Sequence, residues 1–366
     1  MIELATEFRW QDKRLDMPLE RILLTEKWGY DAVFTCEGWG AESLVTAGWF
    51  AAHVKHMKVG TRIMSVTGRP PAVAVAAFQS LNHLTGGNRV ICGLGSGTPM
   101  QREGFEGKPW GKPVRRMRDY VTLLRQGFAG EPLDHDGAEW NAPWRGPGAM
   151  GMAPMSNGLE IVSGIPIMIA AGYPQMIELA AELSEGWLAP SWAPGIIDSF
   201  RPMLEKGFAK AGNGKNLDDF KIWAHVDMLV DDDVRAAMRP FKEYAVTFAN
   251  LQREIMEARG FHGLAEKLAD MVSGIIGEGD FVFGRQGFSD KRWEEALDAV
   301  PDDYIDGGWL VGPLARIAER VKPWLDCGLT GLVPRYGPPH EHGKVIEPVE
   351  VYQAIARAAG KAPRAV

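Results

Sequence analysis

Short apolar runs that do not alternate with polar residues recur along the whole chain. A parallel strand in an α/β protein is covered on both faces, so it reads as a continuous apolar stretch rather than an alternating one. The pattern predicts eight strands, at residues 2–8, 31–37, 57–65, 89–95, 166–171, 187–191, 221–230 and 329–335. Most of these runs are separated by stretches with helical periodicity.

A repeated junction between helix and strand supports this interpretation. In three places an amphipathic stretch ends at a glycine and an apolar run follows, at Gly29, Gly186 and Gly328. Glycine after the last helical turn adopts the left-handed conformation that terminates a helix. Helices alternating with parallel strands indicate an α/β fold. Eight strands favour a (β/α)8 TIM barrel, because a doubly wound sheet usually has about five or six.

The length of 366 residues exceeds the usual ~100–200 residues of a domain. The excess falls at about residues 98–165, which are rich in Pro, Gly and Trp, and at about 234–310, which read as helical. We predict one barrel domain over residues 1–366, with these two insertions at its C-terminal face. Active sites of such barrels are built at that face, so the insertions would be lids or substrate walls.

Composition and charge exclude several classes of partner. The chain is 46% hydrophobic and 24% charged, as in ordinary globular domains, and its net charge of -7 provides no basic field for nucleic acid. Cys36, Cys92 and Cys327 have neither zinc nor disulfide spacing. No apolar run is long enough for a membrane span, and the first thirty residues lack the apolar core of a signal peptide. We therefore expect a cytoplasmic protein.

The clearest local motif is Gly93-Leu94-Gly95-Ser96-Gly97, at the end of the fourth predicted strand. It is not a dinucleotide-binding fingerprint, because Pro99 interrupts the following helix and residues 112–118 are largely basic rather than acidic. The backbone N–H groups of residues 95–98 could instead bind a phosphate. A tight barrel turn that binds no ligand is the alternative.

Two glutamates stand at the ends of neighbouring predicted strands. Glu7 ends the first strand and Glu37 ends the second. Adjacent strands of a parallel barrel bring their carboxyl ends together, so we expect these carboxylates near each other at the catalytic face, where one would serve as a general acid. Pairing of either glutamate with a lysine or arginine is the alternative.

Aromatic residues cluster near the same strand ends and could enclose a flat, conjugated ligand, although most aromatic side chains pack in cores. They are Trp39, Tyr173, Trp187, Trp192 and Tyr336. Trp39 and Trp192 are our candidates for the substrate pocket. Among the histidines, only His340-Glu341-His342 has metal-type spacing, and it would need a third ligand from elsewhere. We therefore predict no metal site, and interpret this segment as an exposed loop or a contact to a substrate anion.

Several stretches, in conserved order along most of the chain, resemble the signature of the luciferase-like flavin monooxygenase superfamily. They are residues 60–63, 69–72, 79–81, 88–97 and 169–174, with the helix–glycine–strand unit at Gly328. The resemblance is strongest to the deazaflavin-dependent branch, which uses coenzyme F420. It implies a TIM barrel that binds a flavin or deazaflavin at the C-terminal ends of its strands. It also implies a non-prolyl cis peptide at the end of strand three, which corresponds to Arg62-Ile63.

The resemblance also assigns roles to individual residues. Glu37 corresponds to an acidic cofactor contact, and Glu7 to a glutamate near the substrate. The expected cofactor-binding residues are Glu37, Arg62, Ile63, Gly95, Ser96, Gly97, Thr98, Ala170, Ala171, Gly172 and Tyr173. The sugar-phosphate dehydrogenases of the deazaflavin branch carry a histidine where this chain has Gly38, so glucose 6-phosphate chemistry is not expected.

Three functions are compatible with these residues. The first is a coenzyme F420-dependent oxidoreductase that moves a hydride between the deazaflavin and an organic carbonyl or activated alkene, with Glu7 or Glu37 protonating the acceptor. The second keeps the fold but uses reduced FMN and oxygen in a monooxygenation, for which dry aromatic walls are suited. The third is a cofactor carrier without turnover. We expect a small-molecule substrate, no nucleic acid or membrane partner, and a homodimer.

Overall fold

Eight parallel strands close into a barrel in the computed structural model, which describes residues 2–9, 14–38, 40–190, 192–274, 291–337 and 347–365. In order around the barrel the strands are β1 (Glu3–Phe8), β2 (Ala32–Thr35), β3 (Lys58–Thr61), β4 (Val90–Gly95), β5 (Ile167–Ala170), β6 (Gly186–Ala189), β7 (Lys221–Val230) and β8 (Gly331–Tyr336). The sheet is closed because β8 pairs with β1, with Glu3 opposite Gly331. The eight predicted strands are these eight, and the predicted TIM barrel is confirmed.

Helices cover the outside of the barrel between its strands. They are α1 (Leu19–Lys27), α2 (Ser43–Ala51), α3 (Pro71–Leu84), α4 (Pro113–Phe128), α5 (Pro174–Leu183) and α6 (Ile197–Ala211). The helix α3 is almost entirely apolar because it packs against both the sheet and its neighbours α2 and α4. No helix within the described ranges is long and apolar enough to cross a membrane.

The first predicted insertion is interrupted by one of these helices. The helix α4 lies inside residues 98–165, so only the residues before Pro113 connect a strand to its following helix. The rest of the stretch joins α4 to β5 and carries a small hairpin, His135–Asp136 with Asn141–Ala142. Connections from a helix to the next strand run on the N-terminal side of a barrel. Only the first part of this stretch therefore lies near the strand ends expected to bind ligands.

The second insertion forms a helical cap with its own apolar core. Its helices are α7 (Val234–Thr247), α8 (Arg253–Ala258), α9 (Leu264–Met271), α10 (Lys291–Ala299) and α11 (Asp302–Gly308). A three-residue strand that the sequence did not predict, Leu310–Gly312, follows α11 and pairs in parallel with Met228–Val230 of β7. We call it the outer strand. Among the described residues after the outer strand, the helices are α12 (Leu314–Arg320), α13 (Lys322–Leu325) and α14 (Glu350–Ala358).

Apolar side chains fill the lower half of the barrel interior. Trp223 of β7 lies at its centre and meets Phe34 of β2 edge to face, with ring centres 5.3 Å apart. The residue opposite, Gly331 of β8, has no room for a side chain, because a Cβ there would lie 2.2 Å from the Trp223 ring. This large, fully buried indole fills the interior, so we expect a ligand to bind above it, at the C-terminal ends of the strands.

Candidate functional site

A layer of charged and polar side chains lies directly above this apolar interior. It consists of Glu7, Arg62, His225, Asp227 and Arg335, and we call it the mouth cluster. Inward-pointing residues alternate along a barrel strand, so His225 and Asp227 follow Trp223 on the same face of β7. Glu7, the last residue but one of β1, likewise follows Ala5 on the inward face of that strand. The strand geometry therefore aims these side chains at one point at the mouth of the barrel.

Ion pairs hold the mouth cluster together. Arg62 donates to Glu7 Oε2 from Nη1 at 2.6 Å, and Arg335 donates to Asp227 through Nε and Nη2 at 2.7 and 2.9 Å. The side chains of Glu7 and Asp227 are each only 1% exposed. Burial lowers the pKa of Arg62. Burial also opposes the charge of Arg335, but Asp227 and Glu7 outweigh it and raise its pKa. Two buried cations thus balance two buried carboxylates.

The fifth member of the cluster, His225, is held in one tautomer. Nη2 of Arg62 lies 2.7 Å from His225 Nδ1 and also donates to the carbonyl oxygen of Ala189 at 3.3 Å. A guanidinium group has only donors, so Nδ1 must accept and the ring proton must sit on Nε2. Nε2 lies 3.7 Å from Asp227 Oδ2. His225 therefore presents an N–H donor at the mouth of the barrel.

The backbone beside Arg62 has the geometry that the family resemblance implies. The peptide bond between Arg62 and Ile63 is cis, and it separates β3 from a two-residue strand, Met64–Ser65, which pairs with β4. This break divides the predicted strand 57–65. The side chain of Ile63 lies on Gly95 of β4, where a Cβ would stand 2.4 Å from its Cδ1. The third and fourth strands thus end in a closely packed backbone surface.

Glu37 lies in a separate cluster on the rim. Its carboxylate accepts both guanidinium Nη atoms of Arg69, at 3.1 and 3.2 Å, and the hydroxyl of Ser43 at 2.8 Å. Arg69 also pairs with Glu42. The predicted neighbours Glu7 and Glu37 therefore each have an arginine of their own, which is the alternative that the sequence left open for both residues.

In the loop after β4, some backbone N–H groups already donate hydrogen bonds within the loop. Gly97 has a φ of 72°, and a Cβ there would lie 2.9 Å from Ser65 Oγ. Thr98 donates its N–H to the Gln101 side chain at 3.1 Å and receives the Gln101 N–H on its own hydroxyl at 3.2 Å. This reciprocal arrangement begins the following helical turn. Ser96 and Gly97 therefore hold the N–H groups best placed to bind an anion.

A carboxylate lies next to this loop. Glu106 accepts the Thr67 hydroxyl at 2.5 Å and an Arg102 Nη1–H at 3.1 Å. Arg102 also donates to the Thr67 carbonyl at 3.2 Å. The charge of Arg102 thus offsets that of Glu106 beside the expected phosphate position.

The predicted residues at the end of β5 divide into a buried and an exposed pair. Ala170 is half-buried and Ala171 is buried, with its carbonyl accepting the indole N–H of Trp187 at 2.8 Å. Gly172 and Tyr173 are exposed, and Tyr173 is 68% accessible. The backbone of this edge faces the mouth of the barrel while its aromatic side chain lies in solvent.

The aromatic candidates also have different positions. Trp192 is buried, packs against Trp187 and Phe200, and donates to Cys327 Sγ at 3.3 Å. Tyr336 is buried at the end of β8. Trp39 and the His340-Glu341-His342 segment lie outside the described residues. Of the two candidates for the substrate pocket, Trp192 is the one whose position is described.

A small, partly open cavity lies between the mouth of the barrel and the inserted helices. Its volume is about 30 Å³. Its lining includes Trp192, His225, Asp227, Tyr244, Arg259 and Trp309. Burial, together with the charge of Asp227, raises the pKa of Tyr244 to about 12, so this phenol stays protonated. We call this space the mouth cavity. Hydrogen-bond donors and aromatic side chains line it together.

Sequence reasoning missed His225, Asp227 and Arg335. A signal was present, because polar residues at every second position interrupt the apolar run of β7 at His225 and Asp227. In a barrel strand this spacing indicates the inward face.

A (β/α)8 barrel with a buried polar cluster at the C-terminal ends of its strands is the architecture of a TIM-barrel enzyme. The chain belongs to the luciferase-like monooxygenase family, whose family model matches residues 6–331.

Similar proteins extend this finding. A Mycobacterium tuberculosis protein, provisionally named a coenzyme F420-dependent oxidoreductase, is 27% identical over 86% of this chain and 89% of its own. The 5,10-methylenetetrahydromethanopterin reductase of Archaeoglobus fulgidus is 29% identical over 77% of this chain and 78% of its own. Among solved structures, an F420-dependent secondary alcohol dehydrogenase in complex with an F420–acetone adduct has the same fold, with a TM-score of 0.71. The two sequences are 15% identical, and the match covers 98% of this chain and 99% of that chain.

Proposed function

We propose that this protein is a coenzyme F420-dependent oxidoreductase that transfers a hydride between the deazaflavin and an organic carbonyl or activated alkene. The observation that carries the proposal is the mouth cluster, which places the buried hydrogen-bonding groups of Arg62 and His225 at the C-terminal ends of the strands. Beside it, Ile63 packs closely on Gly95 at the end of β4. Two relatives that match most of the chain, the Mycobacterium tuberculosis protein and a glucose-6-phosphate dehydrogenase of Nocardia farcinica, are named for the same coenzyme.

The residues at the strand ends fit a flat ring with an anionic tail. The side chain of Ile63 occupies the space that a Cβ on Gly95 would need. The end of β4 therefore presents only backbone to the ring at Gly95. Gly97, at positive φ, keeps the backbone open beside the hydroxyl groups that would contact a phosphate. Ala170 and Ala171 would border the ring. When bound, the deazaflavin supplies or accepts the hydride.

His225 is the residue that we assign to the oxygen of the carbonyl. Its Nε2–H is fixed by the hydrogen bond from Arg62 to Nδ1, and the ring lines the mouth cavity. A preorganised neutral imidazole donor polarises a carbonyl without carrying charge into a dry site. Glu7 is bound by Arg62 and partly by Arg335, so it acts as an acceptor that fixes the arginines rather than as the acid.

Three further statements about the protein stay predictions from the sequence. They are the single domain with two insertions, the cytoplasmic location and the homodimer. The homodimer is checked by measuring the mass of the purified protein in solution by light scattering.

The test of the proposal is equilibrium binding of the purified protein to coenzyme F420 and, separately, to FMN, followed by ligand fluorescence. We expect binding of F420 at micromolar concentration or tighter, and oxidation of the reduced coenzyme by members of a panel of ketones and enones. Tight binding of FMN alone, with substrate-dependent oxygen consumption, would instead establish the monooxygenase chemistry. Binding of F420 without turnover of any kind would favour a carrier.

A further inference from the structure

Arg259 lines the mouth cavity without a carboxylate partner. It follows α8, and its Nη2 donates to the carbonyl oxygen of Tyr304 at 2.6 Å. Its guanidinium carbon lies 4.4 Å from the centre of the Tyr304 ring and 5.5 Å from that of Phe261. Throughout the described part of the chain, no carboxylate lies within 4.0 Å of this guanidinium, whereas Arg62 and Arg335 in the same site each have one.

The chain provides space for this guanidinium with two consecutive glycines. A Cβ on Gly307 would lie 2.6 Å from Arg259 Nη2, and a Cβ on Gly308 would lie 2.6 Å from Nη1. Both glycines end α11, just before Trp309, which also lines the cavity. A side chain at either position would displace the guanidinium, so its present position requires glycine at both.

A cation partly withdrawn from water without a carboxylate partner is costly to the fold. Arg259 is half-buried, and burial lowers its pKa, an effect that the neighbouring Tyr304 only partly offsets. Arg259 lines the mouth cavity together with His225, so a negatively charged group of a ligand there could approach it, and it also lines an open pocket on the other side, beside Asp306 and Glu319. A cavity of about 30 Å³ has room for one small group rather than for a whole substrate or a phosphate.

We propose that Arg259 binds a carboxylate of the substrate, so that the enzyme acts on a carbonyl compound or alkene that carries a carboxylate. The inference rests on the function proposed above for the same site. His225 and Arg259 line the same small cavity, so a keto acid would insert only its carboxylate there, at the guanidinium, and keep its carbonyl group outside the cavity, within reach of the Nε2–H of His225.

The competing explanation is that Arg259 only fastens α8 to α11 through its contacts with Tyr304. A direct test of the anion site uses bromide, which is small enough for the cavity and gives an anomalous X-ray signal. Crystals are soaked in bromide without cofactor. We expect a bromide peak at the guanidinium in the wild type that acetate displaces and acetamide does not.

The variants separate the two explanations. Arg259→Met removes the cation and should abolish the bromide peak. Arg253→Met removes a charge from the same helix that pairs with Glu266 on the surface, at 2.9 Å, and should leave the peak unchanged. Gly308→Ala keeps the charge but displaces the guanidinium, so it should weaken the peak even if Arg259→Met does not fold. No bromide at Arg259 in the wild type, or an equal peak in Arg259→Met or in Gly308→Ala, would overturn the proposal.

Turnover provides the second readout. Reduced F420 is oxidised with 4-oxopentanoate and with 2-hexanone, which are alike in length and differ in the carboxylate. We expect the wild type to prefer the keto acid in kcat/KM, and Arg259→Met to reduce that preference about 10-fold or more, as expected for loss of a charged hydrogen bond. Equal use of both ketones by the wild type would overturn the proposal. If F420 does not bind at all, the proposed function fails, while the bromide result still decides whether Arg259 is an anion site.

Discussion

A hydrogen bond of 2.7 Å joins Arg62 Nη2 to His225 Nδ1 across the mouth of the barrel. It connects the residue whose backbone forms the cis peptide after β3 with the donor on β7. The same guanidinium holds Glu7 at 2.6 Å through its other Nη atom. One side chain thus fixes both the carboxylate of the mouth cluster and the tautomer of its histidine.

Removal of Arg62 should destabilise the fold strongly. Arg62→Met leaves the carboxylate of Glu7 buried without its closest partner, for which we expect a loss of about 3–5 kcal/mol in the free energy of unfolding. In the double variant with Glu7→Gln the orphaned charge is gone, so the loss should be clearly smaller than the sum of the two single losses. Urea unfolding followed by circular dichroism measures all three variants.

A matched control is Arg118→Met, which breaks the ion pair between Arg118 and Glu182; the Arg118 side chain is 44% exposed. Exposed pairs contribute about 0–1 kcal/mol, so this variant should unfold close to the wild type. Equal losses for Arg62→Met and Arg118→Met would contradict the importance that we give to burial in the mouth cluster.

Replacement of His225 should affect turnover rather than cofactor binding. His225→Asn cannot place a donor where Nε2 stands, and loss of a preorganised donor typically lowers kcat by about 10²–10³-fold. We expect the Kd for F420 to stay within about threefold, because the glycine loop after β4 is untouched. Stopped-flow oxidation of reduced F420, with fluorescence titration alongside, separates the two quantities.

The control for this variant is His262→Asn, in the helical insertion, where the imidazole is 76% exposed and pairs with Glu257. It should behave as the wild type. A large rise in the Kd of His225→Asn with unchanged kcat would assign this histidine to the cofactor and remove it from the chemistry.

The loop after β4 offers a pair of glycines for comparison. Gly97 and Gly148 have φ of 72° and 78°, but a Cβ on Gly97 would lie 2.9 Å from Ser65 Oγ, while one on Gly148 would meet nothing within 4 Å. Alanine at either position should cost about 1–2 kcal/mol of stability from the left-handed backbone. Only Gly97→Ala should also weaken F420 binding, by about tenfold or more, because it closes the backbone surface that we assign to the phosphate. Equal Kd values for the two variants would show that the phosphate binds elsewhere.

Labelling of Cys36 should report the charge of the mouth cluster. Burial raises the pKa of the Cys36 thiol to about 11, and the nearby charge of Glu7 adds to this effect. The reactive thiolate is therefore scarce at neutral pH, and its labelling by iodoacetamide should rise about tenfold per pH unit from pH 8 and level off near pH 11. Glu7→Gln removes the repulsion and should shift the profile to lower pH. Peptide mass spectrometry with Cys36→Ser as a blank identifies the site, and an unshifted profile in Glu7→Gln would contradict the coupling.

The barrel was predictable because buried parallel strands leave a strong record in sequence. Each strand needs apolar residues on both faces, so a run such as that of β4 has few alternatives. The outer strand was not predictable, because three residues carry no periodicity and its pairing with β7 depends on how α7 to α11 fold back. The sequence predicted Glu7 as a site residue because it lies near the end of a strand. It did not predict the ion pair with Arg62, because the sequence does not show which residue a long side chain contacts across the barrel.

His225 and Asp227 were missed for a different reason. β7 is ten residues long and reads as one apolar run, so its two inward polar residues were treated as interruptions. Their meaning depends on closure of the sheet, which turns alternate positions of that strand toward a common centre. The cis geometry at Arg62-Ile63, by contrast, was expected from the family resemblance and is present.

The outer strand limits how this enzyme can be re-engineered. Its backbone pairs with residues 228–230, on the same strand that carries His225 and Asp227. A transplant of a relative's helical cap over residues 234–312 would pair the relative's outer strand with the end of this chain's β7, two segments that did not evolve together. A graft intended to change substrate preference must therefore exchange residues 228–312 as one piece, because this segment contains both strands of the pairing.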